Sequence, residues 1–170
     1  MTNSDLQKLS SDFFQNSLDS SPTSAIMRGH KQYFDQIEEL NEETFEKETK
    51  AVNDFISRLE SIDLESLSNR EKVTHGMLEF ALSSNKDSLM DRSWEFGAGV
   101  PGFTGFLIDY NQQMFVPDSE SADMLLKRLE LYKRLFTQIA DVQMIGLKNN
   151  RVATERNLLR TIDQLENYLG

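Results

Sequence analysis

The chain has no cysteine, two histidines and three prolines among 170 residues. Without cysteine there is no disulfide, no thiolate nucleophile and no thiolate-bound zinc. The two histidines, His30 and His75, lie far apart and cannot form a His-Glu-x-x-His helix face, which needs two imidazoles one turn apart on one ion. Both are read as structural or solvent-facing. A serine nucleophile on a Gly-x-Ser-x-Gly elbow is missing as well. Positive charge is scarce: 18 Lys and Arg stand against 28 Asp and Glu, for a formal charge of −10. That balance argues against nucleic acid, whose binding needs clustered cations to release counterions, and against an anionic membrane surface. No run approaches the roughly 18 apolar residues of a membrane span. The opening Met1-Thr2-Asn3-Ser4-Asp5 lacks the basic start and apolar run of a signal peptide. A cytoplasmic protein is expected.

What the chain does have is helical periodicity. With 170 residues and 38% hydrophobic content it fits a single helical domain over 1–170, or an N-terminal fragment of a larger protein. Leu6, Leu9, Phe13 and Leu18 mark a helix over about 4–18 that Ser4 can cap, ending before the turn-forming Asp19-Ser20-Ser21-Pro22. A short helical turn then runs from Thr23 to a stop at Gly29. Asn41 can open a helix over about 42–62 whose inner face is Phe45, Val52, Phe55, Ile56, Leu59 and Ile62. Ser68 or Asn69 can open another over about 69–89, carrying Val73, Met77, Leu78, Phe80, Leu82 and Leu89. The short link between these two predicts antiparallel neighbours.

The last fifty residues, 121–170, read as one helix or two joined at Gly146 to Asn150, over about 119–145 and 152–168, with Asp118 or Ser119 as cap. Leu125, Leu129, Tyr132, Phe136 and Ile139 form its stripe, broadened by Met124, Leu131, Leu135 and Val142. Leu158, Leu159, Ile162, Leu165 and Leu169 keep the apolar pattern running to the end, which predicts a chain cut short and an apolar face made to be covered by further polypeptide. This stretch holds 8 basic and 6 acidic side chains, so it is mildly basic beside acidic neighbours.

Residues 92–117 differ in character. Gly97, Gly99, Gly102, Gly105, Pro101 and Pro117 fall there, together with Trp94, Phe96, Phe103, Phe106, Tyr110 and Phe115. A linker would be polar, whereas an aromatic, glycine-rich loop packs on something or lines something. Gly97-Ala98-Gly99-Val100-Pro101-Gly102 spells a dinucleotide fingerprint, but no strand precedes it and Pro101 removes an amide donor, so it is read as a turn-rich connection. Glu38-Glu39, Glu42-Glu43, Glu46 and Glu48 crowd a helix start, where negative charge suits the macrodipole, and are read as a solvated face. Lys127, Arg128, Lys133 and Arg134 alternate with apolar residues as the polar side of an amphipathic helix, where they could also meet a substrate carboxylate or an acidic partner in another domain. Trp94, Phe103, Tyr110 and Arg128 are the candidate cleft or substrate contacts. No catalytic, metal-binding or cofactor-binding residue is identified.

The order of the pieces resembles a known family. Ser21-Pro22-Thr23 then Gly29-His30, a helix closing as Arg58-Leu59-Glu60-Ser61-Ile62-Asp63 with Leu67-Ser68, an aromatic Gly/Pro segment, Pro117-Asp118-Ser119 leading into Lys127-Arg128-Leu129, and Gly146 through Arg151 to Gln164-Leu165 look like the N-terminal part of the bacterial domain of unknown function 885 family. The similarity covers most of the chain, from about Phe13. The resemblance implies a longer, largely helical protein that looks like a zinc metallopeptidase, with a His-Glu-Gly-x-Pro-Gly-His-His type signature downstream that has no counterpart here. The expected fold is an all-α bundle of four to six helices with a Gly/Pro/aromatic-rich loop, part of a larger helical protein. The expected role is the N-terminal helical portion of a zinc-dependent, peptidase-like hydrolase, a cleft wall and scaffold without its own cofactor. Its partner would be the missing C-terminal part of the same protein, and its substrate a peptide. The alternative is a self-contained helical interaction module that grips a partner helix and has no enzymatic activity.

Overall fold

The computed structural model describes residues 4–96, 110 and 114–169. Among them are six α-helices and no strand, so the fold is all-α: α1 (Ser4–Ser20), α2 (Pro22–Met27), α3 (Glu42–Glu60), α4 (Asn69–Met90), α5 (Ser119–Lys148) and α6 (Glu155–Leu169). None of these helices is long and apolar enough to cross a membrane. The chain forms two compact units, one from Met1–Ser21 with Glu42–Arg92, the other from Pro22–Asn41 with Ser93–Gly170.

The first unit is built from α1, α3 and α4 around Leu6, Leu9, Val52, Phe55, Leu59, Leu67, Leu78 and Leu82. The predicted inner face of α3 is the one that packs, with Val52, Phe55 and Leu59 buried. Phe13 meets Phe55 edge-on with ring centroids 5.7 Å apart, and the Arg58 guanidinium lies over the same ring while reaching Asp12 at 2.6 Å. Hydrogen bonds from Lys8 and then Arg58 hold the Asp12 carboxyl below its ordinary value. Ser68 opens α4 through a reciprocal capping box with Glu71, as the Ser-x-x-Glu spacing allows. His75 is buried, with Nε2 3.4 Å from the carbonyl of Leu59, so it serves the core. On α4 only Leu78 and Leu82 of the expected apolar set turn fully inward; Val73, Met77 and Phe80, spaced one and two turns apart, are exposed, Phe80 by 76%.

In the second unit, α2 begins on Pro22, whose missing N–H costs nothing at a first helical position. It ends where Gly29 takes φ +89°, with Gly29 N–H on Ile26 O at 2.8 Å and His30 N–H on Ala25 O at 3.0 Å. That paired pattern needs a left-handed residue, which glycine supplies without strain. Asp118 caps α5 by accepting from Ser121 N–H at 2.8 Å. Ile37, Tyr132 and Leu135 form the core, flanked by Leu40, Leu131 and Ile139, and Leu40 N–H donates to the Gln138 side chain at 3.1 Å.

The buried stripe of α5 is Ser121, Arg128, Tyr132, Leu135, Val142 and Gly146. This differs from the predicted stripe: Leu129 and Phe136 are exposed, and positions held by a serine, an arginine and a glycine face inward instead. Apolar periodicity alone misplaces the helix face here because three of its six buried positions are not hydrophobic. The 121–170 stretch is two helices, α5 and α6, separated after Asn149 and the left-handed Asn150 at φ 57°.

Candidate functional site

The groups with most chemical potential in the second unit are buried. Arg128 has 0% of its surface exposed, Thr23 1% and Glu38 6%. Glu38 lies outside any helix and is sealed, so the reading of the Glu38-Glu39 pair as a solvated helix start is corrected at Glu38, while Glu39 stays outside and pairs with Arg134 at 2.9 Å. The Glu38 carboxylate accepts twice from one residue: Thr23 N–H reaches Oε1 at 2.9 Å and Thr23 Oγ1 reaches Oε2 at 2.8 Å. The first contact supplies an acceptor to an open N–H in the first turn of α2, where a carboxylate also suits the helix dipole.

Arg128 completes the arrangement from α5. Its Nη2 donates to Thr23 Oγ1 and its Nη1 to the carbonyl of Gln36. The threonine hydroxyl thus accepts from a guanidinium and donates to a carboxylate, which fixes its proton on Glu38. Nε of Arg128 has no partner among the described residues. Such an array joins α2, the extended segment 36–40 and α5 through charge-assisted hydrogen bonds. The hydroxyl is enclosed, with its proton and one of its two lone pairs engaged, so the array acts as a structural tie.

The other sequence candidates are placed unevenly. Tyr110 is half-buried; burial pushes its hydroxyl above the ordinary tyrosine value, and the charge of Arg128 pulls it back. Structure therefore brings Tyr110 within electrostatic reach of Arg128. Trp94 is half-buried in the 3-10 turn Ser93–Phe96. Phe103 and residues 97–102 lie outside the described residues, as does the side chain of Leu169. Arg128, sealed from solvent, presents no surface to a substrate.

A second buried carboxylate was not anticipated. Glu95, 2% exposed, takes hydrogen bonds from Asn149 Nδ2 at 3.2 and 3.4 Å and faces Arg151 Nε at 3.7 Å. The backbone comes close at the same point: a β-carbon on Gly146 would sit 2.6 Å from Glu95 O and 2.7 Å from Arg151 O. Only a glycine on α5 lets the Ser93–Phe96 turn approach this far. Sequence carried one signal for it, a lone glycine inside a helical pattern.

Among the described residues no three His, Cys, Asp or Glu side chains converge where they could hold a metal ion. The donor set of these described residues does not fit zinc.

Fold and site together define an all-α protein whose most buried polar groups hold helices and turns in place. The chain belongs to the family described as bacterial protein of unknown function (DUF885), which matches it over residues 22–170. Both buried arrays fall inside that span, whereas α1 lies outside it, so the match begins later than the expected Phe13. No curated protein and no solved structure matches the chain.

Proposed function

We propose that the chain is the helical, non-catalytic portion of a zinc-dependent, peptidase-like hydrolase, forming one wall of the peptide cleft and the scaffold behind it. One observation carries this reading: α6 leaves its apolar face open. No described side chain of α6 is buried, and Leu158, Leu159 and Ile162 remain 38%, 54% and 50% exposed. An amphipathic helix with this face uncovered gains stability only when other polypeptide lies on it. In this proposal Trp94 and Tyr110 offer partly exposed rings to the cleft, and Arg128 stiffens the wall from behind.

The decisive test is the reading frame past Gly170, which should continue into a His-Glu pair with metal-ligand spacing. A stop codon there overturns the proposal. The isolated 170-residue chain should bind no stoichiometric zinc and hydrolyse no peptide; turnover by that chain would overturn it equally.

A self-contained interaction module is the second reading, favoured by the exposed Val73, Met77 and Phe80 of α4. Anchors at i, i+4 and i+7 are the pattern by which a helix meets an apolar groove.

A further inference from the structure

The apolar stripe of α1 runs through Leu6, Leu9 and Phe13. Continued at helical spacing it should next reach residues 16, 17 and 20, and a closed bundle would place large apolar side chains there. The sequence puts Asn16, Ser17 and Ser20 at these positions. The facing helices do the same: one turn before Val52 on α3 stands Glu48, and α4 contributes Asn85 and Ser88 beside Leu89. Small and polar residues where a core should continue leave a cleft of about 320 Å3, with Phe13, Val52 and Leu89 as its apolar lining. That volume lies at the lower end of the range for small-molecule pockets, roughly 300–1,000 Å3.

Charge in the cleft is one-sided. Glu48 is the one ionisable group among its described lining residues, and no Lys or Arg faces it there. Burial pushes the Glu48 carboxyl above its ordinary value, opposed by a hydrogen bond from Ser20. A half-buried carboxylate with no cation among the described lining residues is a costly arrangement, and a cation delivered by a ligand offsets that cost. The surrounding hydroxyls and amides of Ser17, Ser20, Asn16, Asn85 and Ser88 suit a partner that carries several hydrogen-bonding groups of its own.

We propose that this cleft binds a small hydroxylated primary ammonium compound, the size of an amino sugar, with Glu48 as its counter-ion. The ammonium sits against the carboxylate, the hydroxyls meet the serine and asparagine lining, and the carbon skeleton lies on Phe13, Val52 and Leu89. The site belongs to the unit of α1, α3 and α4 and stands or falls independently of the hydrolase reading.

Glucosamine and glucose make a matched pair of probes, since they differ by one ammonium in place of a hydroxyl. Calorimetric titration of the full chain should show saturable binding of glucosamine, with glucose at least about tenfold weaker, the equivalent of losing one charge-assisted contact. Glu48→Gln keeps shape and removes charge, and should weaken glucosamine by about tenfold or more while far-UV circular dichroism stays unchanged. If that variant fails to fold, the comparison of the two sugars on the unaltered chain decides. Equal binding of glucose, unchanged affinity in a folded Glu48→Gln variant, or no saturation by about 10 mM glucosamine would each overturn the proposal.

Discussion

Thr23 and Glu38, 15 residues apart, are joined twice, through the threonine N–H at 2.9 Å and its hydroxyl at 2.8 Å. The second contact makes Thr23 an adapter between two buried charges, because the same oxygen accepts from Arg128. Thr23→Val is nearly isosteric and removes only the adapter. It should leave Glu38 and Arg128 each short of a partner and cost about 2–3 kcal/mol, whereas Thr23→Ser should stay within about 1 kcal/mol. Arg128→Met, which leaves the Gln36 carbonyl and one lone pair of the Thr23 hydroxyl without their donor, should cost about 1–3 kcal/mol. Urea unfolding midpoints at constant m-value measure all three.

Gly146 and Gly76 give opposite answers to the same substitution. Both lie inside helices, so alanine gains roughly 1 kcal/mol of helix propensity at either. At Gly76 an added β-carbon meets nothing within 4 Å, and Gly76→Ala should stabilise the chain by about 0.4–1 kcal/mol. At Gly146 the β-carbon would lie 2.6 and 2.7 Å from two backbone carbonyl oxygens, which cannot swing aside as a side-chain tip can. Gly146→Ala should therefore destabilise by about 2 kcal/mol or more despite its propensity gain. Thermal unfolding of the two variants beside the parent chain checks the contrast.

The difference between those glycines marks how far the sequence could be read. Periodicity located the packed face of α3, because Val52, Phe55 and Leu59 are apolar and buried, but only part of that of α4, where Leu78 and Leu82 turn inward while Val73, Met77 and Phe80 stay exposed. Ends were legible too, since Gly29, Ser68 and Asp118 act through local backbone chemistry that sequence displays, although Pro22 opens α2 where the sequence suggested a turn. The face of α5 was not legible, because Ser121, Arg128 and Gly146 turn inward for reasons supplied by distant segments. Arg128 is buried because Thr23 and Gln36 meet it, 105 and 92 residues away, and no local pattern announces such partners. Much of the family resemblance rests on these same turn and buried-array residues, from Pro22 and Thr23 to Gly146 and Arg151.

Stability should respond to pH in opposite senses at Asp12 and Glu48. The Asp12 carboxyl, ordinarily 3.8, is held lower in the folded chain by Lys8 and Arg58. Its contribution is present above 3.8 and is lost as pH falls through the lowered folded value. Glu48, ordinarily 4.5, is raised by burial, so the folded chain holds its proton longer than the unfolded chain does. Stability then falls as pH rises from 4.5 through the raised folded value. Asp12→Asn should accordingly weaken the chain at neutral pH and converge with the parent in strong acid. Glu48→Gln should instead be the more stable form at neutral pH, with its advantage vanishing below 4.5. Urea midpoints of the three proteins from neutral pH into acid give both trends, and parallel curves would contradict them.

The open face of α6 makes the sharpest demand on the scaffold reading. Leu159 and Ile162 are half exposed, so Leu159→Ser with Ile162→Ser removes little buried area, and stability should shift by no more than about 0.5 kcal/mol per site. Leu135, with 0% exposure, is the internal standard: Leu135→Ala should cost about 2–5 kcal/mol through lost contacts and a cavity. An uncovered apolar helix face also binds hydrophobic dye and drives association between chains. The double serine variant should lower dye fluorescence and shift sedimentation toward monomer, while its unfolding midpoint stays near that of the parent. A loss of stability comparable to Leu135→Ala would mean that α6 already spends this face on its own chain. The helix would then have no surface left for the rest of a hydrolase to occupy.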